Sequence, residues 1–134
     1  MNRVFADTSF YQALFNRRDG WHDAAVEFFG GLETRIVTTD YVLIELGALM
    51  SRGHARPFFI GFVERARSDA FTDIISASAE FLDRGLALFA ARPDKEWTLT
   101  DCISFVVMEQ QGITGALTCD HHFEQAGFQM LLQR

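Results

Sequence analysis

Arg3-Val4-Phe5-Ala6-Asp7-Thr8-Ser9-Phe10 stands near the start of the chain: a short apolar run ends in a carboxylate, and hydroxyl side chains follow at once. The pattern reads as a buried strand that delivers Asp7 to the edge of a sheet. A buried, unpaired carboxylate is costly, so the rest of the chain must supply what Asp7 faces. Three more acids stand in similar settings. Glu45 is the only charge between Tyr41 and Met50, Asp101 precedes the run Cys102-Ile103-Ser104-Phe105-Val106-Val107-Met108, and Asp120 follows Gly115-Ala116-Leu117-Thr118-Cys119. The expectation is that these four carboxylates meet.

Outward from that stretch, the chain alternates helix and strand. Residues 10–16 read as a short helix capped by Asp7 or a neighbouring hydroxyl. In residues 21–29, Trp21, Ala24, Ala25, Phe28 and Phe29 follow the spacing of an amphipathic helix, ended by Gly30-Gly31. The β-branched Arg35–Thr39 reads as the second strand. Residues 40–50 are apolar nearly all round and read as a core helix. Pro57 can open the next helix, 57–68, with Phe58, Phe59, Phe62 and Val63 on one face. Residues 71–75 are the third strand. Ala79–Ala91 is a helix that should bury Phe81, Leu82, Leu86 and Phe89. A charged loop, 92–97, leads to a helix over 99–110 ended by Gly112. The fourth strand covers 114–119, a helical turn runs from Asp120 to Ala126, and 128–132 can form an edge strand. This alternation predicts an α/β fold with a mostly parallel sheet of four or five strands flanked by helices.

At 134 residues, with 49% hydrophobic content and fourteen Phe, the expectation is one domain over residues 1–134. No apolar stretch approaches the ~20 residues of a spanning helix, and Asp7 interrupts any leader-like run. A cytoplasmic protein without membrane contact is expected. Cys102 and Cys119 lack metal-ligand spacing and read as small buried apolar residues. A net charge of −6 argues against a surface that coats nucleic acid as a whole. It leaves a nuclease open, because bound cations would neutralise the clustered acids. Arg17, Arg18, Arg52, His54, Arg56 and Lys95 fall in loops or at helix ends, where they either meet phosphates or are simply solvated.

In an open parallel sheet, ligands bind outside the carboxyl ends of the strands, where Asp7 and Asp120 both fall. Glu45 and Asp101 lie early in helices leaving that same side. Four like charges repel unless a cation intervenes, and oxygen ligands suit Mg²⁺ or Mn²⁺. Such ions suit phosphodiester hydrolysis: they activate water, orient the phosphate and stabilise the leaving oxygen. Each acid also has a plainer role open to it. Asp7 could cap its helix, Asp101 could complete a capping box with Thr98, Asp120 could fold a turn, and Glu45 could pair with an arginine. His121 and His122 beside Asp120 fit surface positions of a final turn better than a softer metal site or an acid-base pair.

Asp7-Thr8-Ser9, Glu45 in a core helix, Thr100-Asp101 opening a helix, and Thr118-x-Asp120-x-x-Phe123 together resemble the PIN-domain family of metal-dependent ribonucleases. The resemblance extends through Lys95-x-Trp97-x-Leu99-Thr100-Asp101 to the terminal Asp120–Phe128 segment. It implies a parallel sheet sandwiched by helices in three layers, with Asp7, Glu45, Asp101 and Asp120 as catalytic and metal-binding acids. It further implies Mg²⁺, with Mn²⁺ able to substitute, and an RNA substrate. Thr8, Ser9 and Thr118 would contact a water or phosphate. Among compact members the chain most resembles VapC-type toxins of type II toxin-antitoxin modules, which implies a cognate antitoxin and a homodimer. The Phe-rich 57–68 helix would then either line such an interface or lie in the core. Rival readings are a free-standing PIN nuclease, a phosphatase with Asp7 as nucleophile, and a non-catalytic interaction module. The phosphatase lacks the usual second Asp, since Ser9 stands two residues on.

Overall fold

The structure, a computed structural model, describes residues 3–31 and 33–134. Its elements run β1 (Arg3–Ala6), α1 (Thr8–Phe15), α2 (His22–Gly30), β2 (Arg35–Thr39), α3 (Asp40–Leu49), α4 (Ala55–Ser68), β3 (Thr72–Ile75), α5 (Ala79–Ala91), α6 (Leu99–Gln111), β4 (Gly115–Leu117), α7 (His122–Gln125) and β5 (Gln129–Met130). The five strands form one sheet in the order β3-β2-β1-β4-β5, every neighbouring pair parallel. The expected α/β architecture is therefore present, with the last segment as an edge strand. The chain builds outward from β1 to β3 and then returns to β1's other side. That reversal opens a crevice between the carboxyl ends of β1 and β4.

Side-chain caps set the helix starts facing that crevice. Asp7 caps α1 by accepting from Phe10 N, Thr39 caps α3 by accepting from Val42 N, and Thr98 and Asp101 form a reciprocal capping box on α6. Gly112, at φ 67°, closes α6 in the left-handed region that glycine tolerates best. Helix α4 begins two residues before Pro57, which sits in the first turn where its missing N–H costs nothing.

The core gathers on α6, buried from Asp101 through Met108. Phe105 on this helix stands edge-on to both Trp97 (5.1 Å) and Phe123 (4.9 Å). Phe5, Phe10 and Phe123 are fully buried.

Three expectations about burial need correction. Helix α3 is not buried all round: Val42, Leu43 and Leu46 face the core, while Ile44 and Leu49 are 67% and 57% exposed. On α4 the phenylalanines divide, Phe59 and Phe62 packing on the core and Phe58 left exposed. On α5 the buried stripe is Phe81, Gly85 and Leu88, and Leu82, Leu86 and Phe89 face outward. The reason is close approach. A Cβ at position 85 would run into Cγ1 of Ile103, so the glycine lets α5 lie directly on α6. Both stripes have helical spacing, and the one that includes the glycine is buried.

Replacing Gly85 by Ala should therefore destabilise the protein by about 1–3 kcal/mol despite alanine's better helix propensity. Adding Ile103→Ala removes the clashing atom, so the double variant should lose less than the sum of the two single losses in denaturant titrations. Strict additivity would mean that the α5–α6 approach is not what requires glycine.

Candidate active site

The β1–β4 register decides which side chains meet. Phe5 pairs with Ala116 and Ala6 with Leu117, and the backbone N–H of Asp7 donates to Leu117 O at 3.2 Å. Asp7 and Thr118 therefore leave the two strand ends side by side. Thr118 Oγ1 donates to Asp7 Oδ2 at 3.0 Å, and Ser9 Oγ donates to Asp7 Oδ1 at 2.8 Å. Phe10 N completes the shell with a bond to Oδ1 at 3.2 Å. The two hydroxyls are themselves held by backbone donors, Asp120 N to Thr118 Oγ1 and Cys119 N to Ser9 Oγ, each at 2.9 Å. Asp7 is thus wired to the Asp120 loop through Thr118.

Beside it lies a second group. The side chains of Asp101, Asp120 and His122 each bring a potential ligand atom within 4.8 Å of the others. His122 Nδ1 stands 2.9 Å from Asp101 Oδ2 and 3.2 Å from Asp120 Oδ2. The other oxygen of Asp120 accepts from His122 N at 2.9 Å, which folds the turn into α7. The plainer roles are real as well, since Asp7 caps α1, Asp101 completes its capping box and Asp120 shapes a turn. Asp101 uses one oxygen for both, since Oδ2 accepts from Thr98 N and also faces His122, whereas Asp120 turns Oδ1 to its turn and Oδ2 to His122.

Burial raises the Asp7 carboxyl from 3.8 to about 7, against the lowering by its hydrogen bonds from Ser9, Phe10 and Thr118, and the nearby Asp101 charge adds to the rise. Asp101 is also raised, chiefly by burial, with bonds from Thr98 N and His122 opposing and Asp120 adding. Cys119 is pushed up to about 12 by burial and by Asp7, which keeps its thiol protonated; it is half-buried rather than buried as expected, whereas Cys102 is buried.

Not every expected residue joins the cluster. Glu45 is half-buried on α3 and lies outside the Asp101–Asp120–His122 group. It pairs with no arginine among the described residues. Thr8 Oγ1 is buried, next to Asp7, and has no hydrogen-bond partner among the described residues. Arg17, Arg18, Arg52, His54 and Arg56 are exposed, and Lys95 is half-buried. His122 is the residue that pattern reading underrated. Expected at the surface, it instead sits between two carboxylates, and its place two residues after Asp120 was the available signal.

The donor set fits a divalent cation. Oxygen and imidazole donors converge, no lysine or arginine among the described residues neutralises them, and an unsatisfied hydroxyl adjoins the buried Asp7.

The PIN domain family model matches residues 4–129. The 23S rRNA-specific endonuclease VapC20 of Mycobacterium tuberculosis is 28% identical over 127 residues, covering 93% of this chain and 95% of that protein. The crystal structure of VapC20, described as a Sarcin-Ricin loop cleaving toxin, is similar at a TM-score of 0.88 and 25% identity, covering 97% of this chain and 99% of that one. FitAcB from Neisseria gonorrhoeae shares the fold at a TM-score of 0.64 and 14% identity, with 92% of each chain covered. With the family model matched over nearly its whole length on a five-stranded parallel sheet, the chain belongs to the PIN-domain family.

Proposed function

We propose that this chain is a divalent-metal-dependent endoribonuclease, residues 1–134 forming one nuclease domain that serves as the toxin of a type II toxin-antitoxin module in the cytoplasm. The carrying observation is the convergence of Asp101, Asp120 and His122 beside the buried Asp7, in a chain similar along nearly its whole length to a 23S rRNA-specific endonuclease. That relative makes structured ribosomal RNA the proposed substrate class.

Asp101 and Asp120 would hold the ion, Mg²⁺ or Mn²⁺, with Asp7 as third carboxylate and Glu45 as fourth. When bound, the ion supplies Lewis-acid activation of water and stabilisation of charge on the phosphate. The protein's part is orientation. Thr118 and Ser9 hold both oxygens of Asp7 so that it stays aimed into the crevice, and the Thr98 backbone N–H fixes Asp101. Thr8 Oγ1 is available to a water or phosphate oxygen. The loop cations supply phosphate contacts that position RNA. A phosphatase using Asp7 as nucleophile fits poorly, because Ser9 stands two residues on, where such enzymes carry a second Asp.

Exposed Ile44, Phe58 and Ile60 on α3 and α4, with a neighbouring cleft of about 320 Å³ lined by Tyr11, Leu14, Phe15 and Phe62, support a homodimer bound by an apolar antitoxin segment.

In the decisive assay, purified antitoxin-free protein meets ribosomal RNA with Mg²⁺, Mn²⁺ or EDTA, and the new RNA ends are sequenced. Cleavage should vanish in EDTA, and Asp7→Asn or Asp101→Asn should lower it by about 10³-fold or more with the fold retained. Cutting that persists in EDTA, or an Asp7→Asn variant as active as the parent, would rule out the carboxylate site.

Stability should follow the raised carboxyls. Without metal, folded Asp7 holds its proton to about pH 7, whereas the unfolded chain releases it near 3.8. Its stabilising contribution is thus complete below that lower value and is lost as pH rises through about 7. Asp7→Asn should flatten this part of the Tm profile. Mn²⁺ binds the carboxylate form and should raise Tm more at pH 8 than at pH 5. A metal-induced shift that is larger at pH 5 would contradict the assignment.

Light scattering tests the dimer. The parent should have about twice the 15.2 kDa chain mass, and Ile60→Asp should shift it toward monomer. A monomeric parent chain would refute this part of the reading.

A further inference from the structure

We propose that His122 is a direct nitrogen ligand of the divalent ion and turns the site's preference from Mg²⁺ toward Mn²⁺. The inference rests on the metal-dependent reading above and specifies its cofactor. Its basis is spacing. Ligand atoms bound side by side on an octahedral ion at about 2.1 Å lie roughly 3 Å apart. His122 Nδ1 stands 2.9 Å from Asp101 Oδ2 and 3.2 Å from Asp120 Oδ2, hydrogen-bond distances without an ion that are also the separations of ligand atoms sharing one.

The ring is held there by structure built around it. Phe123 beneath α7 is fully buried, and Trp97 Nε1 donates to Gln125 Oε1 at 3.0 Å, which pins the short helix to the residues preceding α6. Asp120 Oδ1 accepts from His122 N, so the backbone of this histidine is fixed by the same acid that its ring faces. Only 26% of the His122 side chain is exposed, against 72% for His121, whose ring stands 3.7 Å from Glu124 on the outside. Adjacent histidines thus have different surroundings, and only one is aimed at the carboxylates.

Ligation uses the tautomer with its proton on Nε2, which leaves the Nδ1 lone pair for the ion. Mg²⁺ is a hard ion that takes oxygen donors and keeps its waters, whereas imidazole is a ligand of first-row transition ions. A donor set with one nitrogen among carboxylates therefore discriminates between the two. A histidine that only hydrogen-bonded the acids would orient them without adding this bias.

Pulsed electron paramagnetic resonance of Mn²⁺-loaded protein reads the ligand directly. The parent should show one histidine nitrogen coupled to Mn²⁺, and the coupling should change from ¹⁴N to ¹⁵N in protein grown on ¹⁵N-histidine. This labelling needs no substitution, so it remains informative if a variant fails to fold. His122→Asn should abolish the coupling and His121→Asn should keep it. By titration, Mn²⁺ should bind the parent at least about tenfold more tightly than Mg²⁺. His122→Asn should weaken Mn²⁺ by about 10–100-fold and Mg²⁺ far less. Bound Mn²⁺ with oxygen ligands alone would overturn the inference and leave the metal-dependent reading standing. Failure of the parent to bind Mn²⁺ at millimolar concentration would overturn both.

Discussion

The hydrogen bond from Thr118 to Asp7 joins the carboxyl ends of β1 and β4, two strands separated by most of the chain. Parallel neighbours such as these cannot be linked by a hairpin, so the intervening helices and strands must return to bring them together. Their pairing is also what buries Asp7. Burial there makes its charge costly and raises the carboxyl to about 7, against the lowering by the hydrogen bonds from Ser9, Phe10 and Thr118. The aromatic packing of Phe105 on Phe123 and Trp97 supports the same junction from below, because Phe123 follows β4 and anchors the turn that carries Asp120 and His122.

Local folding and site chemistry share side chains here. Asp7, Asp101 and Asp120 each satisfy backbone donors at the beginning of a helix or turn, and each contributes to a concentration of negative charge. Capping constrains the rotamer of each carboxylate. A conservative Asp→Asn change keeps an acceptor for the cap while it removes charge, so the two roles are separable by experiment. His122 extends the same economy: its N–H closes the Asp120 turn, and its ring faces Asp101.

The apolar surface divides in a way that helical periodicity cannot decide. On α5 the Phe81-Gly85-Leu88 and Leu82-Leu86-Phe89 stripes have the same spacing, and hydrophobicity alone favours the second. The first is buried because Gly85 admits close approach to Ile103. On α3, apolar side chains occur on every side, and contact with neighbouring elements covers only part of the circumference. What remains exposed on α3 and α4 includes Ile44, Leu49, Phe58 and Ile60.

The alternation of elements, the parallel sheet and the arrival of Asp7 at the end of β1 were legible in the sequence, because strand and helix periods, caps and glycine stops are local properties; β4 stops at Leu117, so Asp120 lies in the loop beyond it. The Thr98–Asp101 capping box was legible as well. The sequence by itself also determined the buried Cys102 and the edge strand at the C-terminal end. Only the tertiary structure decided that Asp101, Asp120 and His122 form the tight group while Glu45 lies outside it, that Thr118 is the link between Asp7 and Asp120, and that α5 turns its bulkier apolar stripe to solvent. These depend on the β1–β4 register and on helix approach distances, which are set by contacts between residues far apart in the chain and leave no periodic trace within any one segment.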